Sequence, residues 1–387
     1  MRFDLIVVGG GVVGASIARA VRGLSVALVS GARPSSAQHN PPEEFDARVY
    51  ALSPGSVEFL RSIRVWDAMP ADRLTPVHAM QVFGDSEGSR IGFDAYRGGV
   101  AELAWIVEDR VLQAALWNAL DSQDGLELFA PSRCESLELG ARAALRLADG
   151  RRLEADLVVG ADGADSFVRN AAGIAVTERP YGQTAVVANF SCAQPHRNAA
   201  YQWFQAGPVL ALLPLPRGQV SMVWSVPEQD AARLMTLDAG SLGEAVTAAS
   251  HGVLGTLSPV TAPQAYPLRR INASRMVAPH VALAGDAAHV IHPLAGQGLN
   301  LGLQDARSLG AVLQGRAPVR SAGDFHLLRR YERDRGEAIL AMRTAVHGLQ
   351  AMFESRSPSF RRLRNLGLNF TDRLPVLKNL LLRHALH

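Results

Sequence analysis

Three observations predict an α/β fold for this chain of 387 residues. The apolar run "DLIVVG", from Asp4 to Gly9, fits a strand that is buried on both faces. A glycine-rich turn, a segment with helical periodicity and a second apolar run, "SVALVS", follow in that order. Later in the chain, the apolar run "VALAGD" leads through the glycines of "AGQGLN" toward another helix. Strands that alternate with helices in this way are typical of a Rossmann-like domain.

The composition limits the classes of protein that fit. A hydrophobic fraction of 48% and a charged fraction of 19% suit a globular chain with a large core, and the length allows two domains. The net charge of +3 is too small to argue for a nucleic-acid partner. Cys134 and Cys192 are too few for a disulfide framework or a thiolate metal site, so we expect no metal. Lys378 is the only lysine, which argues against lysine-nucleophile chemistry.

The sequence gives no indication of a membrane span or a secretion signal. Its first residues contain one arginine and a short apolar run, without the longer apolar region of a signal peptide. A spanning helix needs a run of about 18 apolar residues, and we find none in the sequence. We therefore expect a cytoplasmic protein.

The first glycine-rich turn has the spacing Gly9-x-Gly11-x-x-Gly14 between two expected strands, which is the context of a dinucleotide-binding fingerprint. Gly9 permits the tight turn, Gly11 lets the backbone approach a pyrophosphate, and Gly14 lets helix and strand pack closely. The first N–H groups of the helix, around Val13, are then free for phosphates. The structural alternative is a glycine-rich turn with no ligand. Ser30 ends the second strand, where an acid usually holds a ribose.

Three further motifs carry polar residues next to strands or helix starts. Arg48 lies in "FDARVYALS" beyond the second strand, and Arg110 leads the amphipathic helix "VLQAALWNAL". Asp162 follows the apolar run of "ADLVVGADG". Each of them, taken alone, is also explained as a surface or capping residue.

In their order along the chain, these motifs resemble those of the class A flavin monooxygenases. The match is closer to the ubiquinone-biosynthesis hydroxylases, whose FAD-dependent members hydroxylate a quinone-ring precursor. The resemblance extends from Asp4 to about Arg383 and includes "VEDRVLQAAL" and "GDAAHVIHPLAGQGLNLGLQDA". The sequence departs from the family pattern at Ser30, where an acid is usual, and at Asp109, where an amide is frequent.

The resemblance implies FAD as the cofactor and assigns its contacts to one set of residues: Gly9, Gly11, Val13, Gly14, Arg48, Arg110, Asp162, Asp286, Pro293, Gly296, Gln297, Gly298, Leu299 and Asn300. The Asp286 carboxylate would accept hydroxyl hydrogen bonds from the ribityl chain. Pro293 would pack by the isoalloxazine ring, and the backbone from Gly296 to Asn300 would approach its pyrimidine edge.

No side chain is assigned a catalytic role, because the flavin carries the chemistry. His292 and Tyr201 are weak candidates for a base near the phenol, and further unranked candidates are Tyr181, His196 and Tyr266. His289 and His292 fit a structural role as well as a role in proton transfer.

The resemblance also implies a division of the chain. The Rossmann-like FAD-binding domain is interleaved with a smaller, mostly antiparallel β-sheet substrate domain and is followed by C-terminal helices. The FAD-binding domain would comprise residues 1–75, 98–178 and 268–345. The substrate domain would comprise residues 76–97 and 179–267, and the C-terminal helices residues 346–387.

The implied reaction is the hydroxylation of a polyprenylated phenol in ubiquinone biosynthesis. NADPH or NADH would bind transiently and reduce FAD, and O₂ would then give a C4a-hydroperoxyflavin that attacks the ring. Two alternatives stay open: a flavin hydroxylase of a small soluble aromatic compound, and a non-catalytic flavin-binding subunit of a biosynthetic complex.

The last residues of the chain are strongly basic. Residues 355–387 contain seven basic residues and one acid, Asp372, with leucines and phenylalanines near helical spacing. One interpretation is a helix pair that closes over the FAD-binding domain. The other is a basic amphipathic surface that contacts the inner membrane peripherally, or other ubiquinone-biosynthesis proteins.

Overall fold

The structure is a computed structural model that describes residues 1–34, 44–84, 89–205, 207–291 and 297–354. The side chains of Gln297 and of residues 345–354 are not described. His292, Pro293, Gly296 and the basic residues 355–387, all singled out in the sequence, lie outside the described residues.

The first sheet is built around parallel strands at the start of the chain. Its main path runs β18-β19-β11-β1-β2-β8, and β9 and β10 extend it beside β11. The strands of this sheet are β1 (Arg2–Val8), β2 (Val26–Val29), β8 (Leu126–Phe129), β9 (Cys134–Leu139), β10 (Ala143–Leu147), β11 (Arg152–Gly160), β18 (Val277–Ala278) and β19 (Val281–Leu283).

The second sheet is mostly antiparallel. Its main path runs β20-β17-β12-β15-β14-β13-β5-β6, β16 pairs with β12, and only the β13–β5 pair of the described strands is parallel. The strands are β5 (Ala79–Phe83), β6 (Arg90–Asp94), β12 (Val176–Cys192), β13 (Ala199–Phe204), β14 (Val209–Leu215), β15 (Gln219–Pro227), β16 (Leu257–Pro259), β17 (Gln264–Ala273) and β20 (His289–Val290).

A small third sheet and the helices complete the described part of the chain. The third sheet contains β3 (Val49–Leu52), β4 (Thr75–Val77) and β7 (Ala104–Glu108). The helices are α1 (Val12–Ala20), α2 (Pro54–Ser62), α3 (Ala95–Gly98), α4 (Asp109–Asp121), α5 (Phe167–Ala171), α6 (Glu228–Met235), α7 (Ala239–Ala249), α8 (Gln297–Gln314) and α9 (Phe325–Glu354).

Apolar pattern explains why these elements form. All four residues of β2 are buried, as a parallel strand between two helix layers requires. The helix that follows Asp109 buries the apolar stripe expected from its sequence, including Val111, Leu112 and Leu116. The expected α/β class, with a Rossmann-like part and a mostly antiparallel sheet, is therefore confirmed.

The two faces of the second sheet have different partners. Alternate residues of its central strands, such as Val186, Phe190 and Met222, pack with α6 and α7 in one apolar cluster. The residues between them point to the opposite face, and Phe204 and Val209 there join the core of the first sheet. The first face is covered by α6 and α7, and the second face is directed toward the Rossmann-like part.

All five expected domain boundaries fall inside continuous elements, namely β4, α3, β12, β17 and α9. The boundary at residue 268 lies within β17, which pairs with β12 along its length, so both parts of that strand belong to the second sheet. The boundary at residue 346 lies within α9. The division of the chain into domains therefore stays a prediction.

The turn between β1 and α1 depends on the absence of two side chains. Gly9 has a φ of 109°, and a Cβ there would lie 2.2 Å from the Ala161 carbonyl oxygen. A Cβ on Gly14 would lie 1.9 Å from the Gly9 carbonyl oxygen. The helix can thus approach the strands β1 and β11 only with glycine at these positions.

Gly14→Ala should lower the free energy of unfolding by about 1–3 kcal/mol or more, because the added methyl overlaps a backbone carbonyl that cannot move freely. Gly11→Ala is the matched control, since a Cβ on Gly11 meets nothing within 4 Å. The control should change stability by less than about 1 kcal/mol. Chemical denaturation of both variants measures this, and equal losses would contradict the steric explanation.

Candidate functional site

The N-terminus of α1 is free to bind a ligand. Gly11 is the N-cap residue and has no side chain that could cap the helix, and the first turn contains no acid. Open space surrounds the position of its missing Cβ, whereas the neighbouring Gly10 is held by a hydrogen bond from Trp117 Nε1 to its carbonyl oxygen at 2.9 Å. The unpaired N–H groups and the helix dipole make this end a site for phosphate oxygens.

Ser30 lies beside this turn, at the end of β2. Its hydroxyl donates a hydrogen bond to the Ala32 carbonyl oxygen at 2.7 Å. The oxygen keeps lone pairs with which it can accept a hydrogen bond from a ribose hydroxyl. Ser30 is therefore still able to replace the usual acid, as a neutral acceptor.

Arg48 lies in a cluster with Tyr50 and Asp109. The Tyr50 hydroxyl donates to Asp109 Oδ1 at 3.0 Å, and the Arg48 guanidinium lies over the Tyr50 ring, 5.5 Å from its centre. Arg48 and Asp109 form an ion pair at 3.9 Å. Burial, with the nearby Asp109 carboxylate, raises the pKa of Tyr50 well above its usual value, so the phenol stays protonated. The acid at position 109, where the family often has an amide, thus holds both partners.

Arg110 and Asp162 are held by contacts within the protein. Arg110 forms an ion pair with Asp46 at 3.3 Å and is about half exposed. Asp162 accepts hydrogen bonds from the Ser166 hydroxyl at 2.5 Å and from the Val168 N–H at 3.1 Å. These contacts fix the loop after β11, on the side of the sheet where the carboxyl ends of β1 and β11 meet.

Asp286 follows the end of β19, as Asp162 follows the end of β11. Its side chain is open to solvent, while Gly285, Ala287, Ala288 and His289 around it are buried. Protein atoms nevertheless surround it closely enough for burial to raise the pKa of its carboxyl group. The charges of His289, Arg48 and Arg269 oppose that rise.

The start of α8 contains four of the predicted contact residues, from Gln297 to Asn300. A Cβ on Gly298 would meet nothing within 4 Å, so the backbone there is open to approach. Leu299 is half-buried against the main core. The Asn300 side chain is committed to the protein: it donates to the Ala51 carbonyl oxygen at 2.8 Å and accepts from the Ser53 N–H at 2.9 Å. Any contact of Asn300 with a cofactor would therefore come from its backbone or from the second N–H of Nδ2.

The weak catalytic candidate Tyr201 lies away from these residues. Its ring stacks on Trp203 at 6.0 Å within the cluster covered by α6 and α7. We therefore do not include Tyr201 in the proposed site. Tyr266, by contrast, lies on the opposite face of the sheet and is close enough to Arg48 to help raise the pKa of that guanidinium.

The structure thus brings six of the fourteen predicted residues to one edge of the first sheet, at the ends of β1, β11 and β19. Gly9, Gly11, Val13 and Gly14 lie at the first of these ends, and Asp162 and Asp286 at the other two. Val13 packs against Gly285, where an added Cβ would lie 3.2 Å from its Cγ2. An uncapped helix N-terminus, open glycine positions and an exposed carboxylate fit the phosphates and the polyol chain of FAD.

Comparison with known proteins agrees with this geometry. The family model for the FAD binding domain matches residues 2–345. The 3-demethoxyubiquinol 3-hydroxylase of Escherichia coli (strain K12) is 34% identical over 99% of this chain and 98% of its own length. The mitochondrial ubiquinone biosynthesis monooxygenase COQ6 of Drosophila melanogaster is 31% identical over 99% of this chain and 90% of its own length.

The fold is also similar to that of a solved structure. The pqsL protein of Pseudomonas aeruginosa, a probable FAD-dependent monooxygenase, gives a TM-score of 0.77 at 24% identity, over 96% of this chain and 100% of its own. The fold and the site thus define a flavoprotein with an FAD-binding domain, which confirms the predicted cofactor. Within that class, the chain belongs to the family of the ubiquinone-biosynthesis hydroxylases, as its resemblance to them predicted.

Asp286→Asn should weaken FAD binding while it stabilises the free protein at neutral pH. The loss of charge-assisted bonds should reduce the free energy of FAD binding by about 1.5–3 kcal/mol. Because the pKa of Asp286 is raised, its ionised form opposes folding above that pKa. This effect disappears as the pH falls to the unfolded value of about 3.9.

The melting temperature of the FAD-free variant should therefore exceed that of the FAD-free parent at pH 7, and the difference should shrink toward pH 4. Ser30→Ala is the matched control, since it removes one neutral bond, worth about 0.5–1.5 kcal/mol. Flavin titration that finds equal losses for the two variants would show that Asp286 is misassigned.

Proposed function

We propose that this chain is an FAD-dependent monooxygenase that hydroxylates the aromatic ring of a prenylated phenol in ubiquinone biosynthesis. NADPH or NADH supplies two electrons, one atom of O₂ enters the ring and the other leaves as water. Membership of the family and the names of two relatives, a 3-demethoxyubiquinol 3-hydroxylase and a ubiquinone biosynthesis monooxygenase, support the proposal.

One observation on the second sheet supports a neutral, apolar substrate. Residues 182–192 of β12 and the whole of β13, β14 and β15 contain no charged side chain. A small aromatic acid would need a cationic partner once it was removed from water. These stretches offer none, so they favour a phenol with a hydrocarbon chain.

The face of the sheet that turns toward the first domain carries small side chains. Register places Ala185 opposite Ser225, and Val187 opposite Val223, on this face. Tyr266 pairs with Ala185 and interacts electrostatically with Arg48, which in turn interacts with Asp286. This surface thus leads from the small side chains to the proposed flavin site.

The residues of this chain would bind, orient and shield rather than react. Free N–H groups at the start of α1 would hold phosphate oxygens, and Asp286 would accept hydrogen bonds from the polyol. The uncharged sheet face would position the aromatic ring and exclude water. FAD, when bound, supplies the redox chemistry that activates O₂.

Purified full-length protein loaded with FAD should oxidise NADPH or NADH faster when a neutral phenol with an isoprenoid chain is added. The product should be heavier by one oxygen atom in mass spectrometry. A phenol that carries a carboxylate in place of the chain is the control and should not stimulate oxidation. Stimulation by the carboxylate compound alone would favour a hydroxylase of small soluble aromatics, and no turnover with either would favour a non-catalytic subunit.

Cells provide an independent readout of the same proposal. A strain without this gene should accumulate a quinone precursor that lacks one ring hydroxyl, and lipid extracts analysed by mass spectrometry would detect it. An unchanged quinone profile would contradict a role in ubiquinone biosynthesis.

We further propose that residues 355–387 contact an anionic membrane surface, where a polyprenylated substrate would be delivered. Their seven basic residues against one acid support this, since each basic residue near such a surface contributes about 1 kcal/mol. A long isoprenoid chain prefers lipid by about 0.8 kcal/mol for each buried CH₂. In the described part of the chain, no helix has the length and apolar character needed to cross a bilayer.

Replacement of Arg361, Arg362 and Arg364 by glutamine should weaken binding to anionic vesicles about a hundredfold in co-sedimentation, because it removes three charges while the chain length is kept. A chain that ends near Ser355 should lose binding altogether. The control is the FAD content of each variant, which should not change. If the truncated protein is folded and FAD-loaded and still binds vesicles as well as the full chain does, residues 355–387 do not contact the membrane and have only a structural role.

A further inference from the structure

Asp286 is the single exposed residue of a short, otherwise buried segment. The segment runs from Gly285 to His289, and its other four residues are buried. Gly285 adopts a φ of 59°, and the Ala288 N–H donates to its carbonyl oxygen at 2.9 Å. A tight turn therefore presents one carboxylate toward the proposed flavin site.

One buried carboxylate oxygen ties the two ends of this segment together. Asp305 Oδ2, on α8, accepts a hydrogen bond from the Gly285 N–H at 2.9 Å. The same oxygen lies 2.7 Å from His289 Nε2. Asp286 is thus enclosed between two residues that are anchored to the same atom.

A second charge makes this anchor stable in the interior. Asp305 is fully buried, and Arg335 on α9 donates from Nε to Asp305 Oδ1 at 2.8 Å. Burial opposes ionisation, but His289 and Arg335 outweigh it and hold the pKa of Asp305 below its usual range. The carboxylate is therefore ionised, and His289 Nε2 must carry the proton of their hydrogen bond.

The approach of α8 that makes this contact possible depends on Gly302. A Cβ there would lie 2.6 Å from Val13 Cγ2, and it would lie 3.3 Å from Gly285 Cα. Glycine at this position lets α8 lie close to α1 and to the turn. Asp305, one helical turn further on, can then reach the backbone of Gly285.

We propose that Asp305 is a positioning residue for FAD, which acts through Gly285 and His289 to fix the direction of the Asp286 carboxylate. The inference rests on the proposed assignment of Asp286 to the ribityl chain. It gives the buried triad of Asp305, His289 and Arg335 a role in cofactor affinity in addition to its contribution to folding.

A double-mutant cycle in the full-length chain tests this. Asp305→Asn should raise the Kd for FAD about tenfold, because an amide has one acceptor oxygen and cannot accept from Gly285 and His289 on one side and from Arg335 on the other. In an Asp286→Ala background, the same substitution should have little further effect, since the side chain that it positions is gone. FAD-free protein titrated with FAD, followed by flavin fluorescence, gives all four constants.

ADP separates positioning from a general loss of structure. ADP carries the adenosine and diphosphate part of FAD but no ribityl chain, so it reports the N-terminus of α1 and Ser30 without Asp286. Asp305→Asn should leave the Kd for ADP within about twofold of the parent value while the Kd for FAD rises. Tyr331→Phe is the matched control, because it removes a buried hydrogen bond from α9 to the Leu283 carbonyl oxygen, at 2.8 Å, just before the segment. It should change neither constant.

His289 provides a second route if Asp305→Asn does not fold, since its removal leaves the pair of Asp305 and Arg335 intact. His289→Ala should weaken FAD binding selectively, and His289→Gln should restore it, because the glutamine amide offers an N–H at similar reach. Additive losses in the cycle, or equal losses for FAD and ADP, would overturn the positioning role of Asp305. Unchanged FAD binding by Asp286→Ala would instead overturn the assignment of the site itself, and the inference with it.

Discussion

The close approach of α1 to the first sheet is the constraint on which the rest of the structure depends. Three separate parts of the chain meet where β1, β11 and β19 end. Each of them has a glycine at the point of contact. Gly9 and Gly14 remove two overlaps with backbone carbonyl oxygens. Gly160, at the end of β11, removes an overlap with a side chain, since a Cβ there would lie 2.8 Å from Val168 Cβ. The site therefore forms because the turn before α1 can pack directly against the backbone after β11. This close packing determines where the polar groups of the site lie.

A second constraint joins the two sheets. His289 belongs to β20 and pairs with Asn272 of β17, while its ring contacts Asp305 under the first sheet. Arg269, also on β17, forms ion pairs with Asp165 and Glu178 near α5 and the start of β12. The sheet that we propose to hold the substrate is thus linked by polar contacts to the turn that carries Asp286. Cofactor and substrate positions depend on one connected set of side chains.

Much of the fold could be predicted from the sequence, because its signals are local. The glycine spacing, the apolar run from Asp4 and the stripe after Asp109 each lie within about 20 residues of the chain. Long-range pairs carry no such signal. Asp305 lies in the apolar stripe between Leu301 and Leu309, which could have identified it as a buried, partnered acid. Its partner Arg335 lies 30 residues further on, in another helix, and no local pattern indicates it. The domain boundaries that the resemblance implied fall inside elements such as β17 for a similar reason, since the extent of a strand is set by its pairing with a distant strand, here β12.

The pairing of β12 with β17 has a mechanical consequence. The register of the two strands shifts between Pro180 and Thr184, and Gly182 there has a φ of 65°. An irregularity of this kind bends and twists a ribbon locally. Since β12 and β17 lead from the edge of the Rossmann-like part into the second sheet, any tilt of that sheet would be concentrated at this bulge. The bulge would then act as a hinge between two stiff parts of the ribbon. The bend angle at this hinge would set the distance between the aromatic substrate and the flavin.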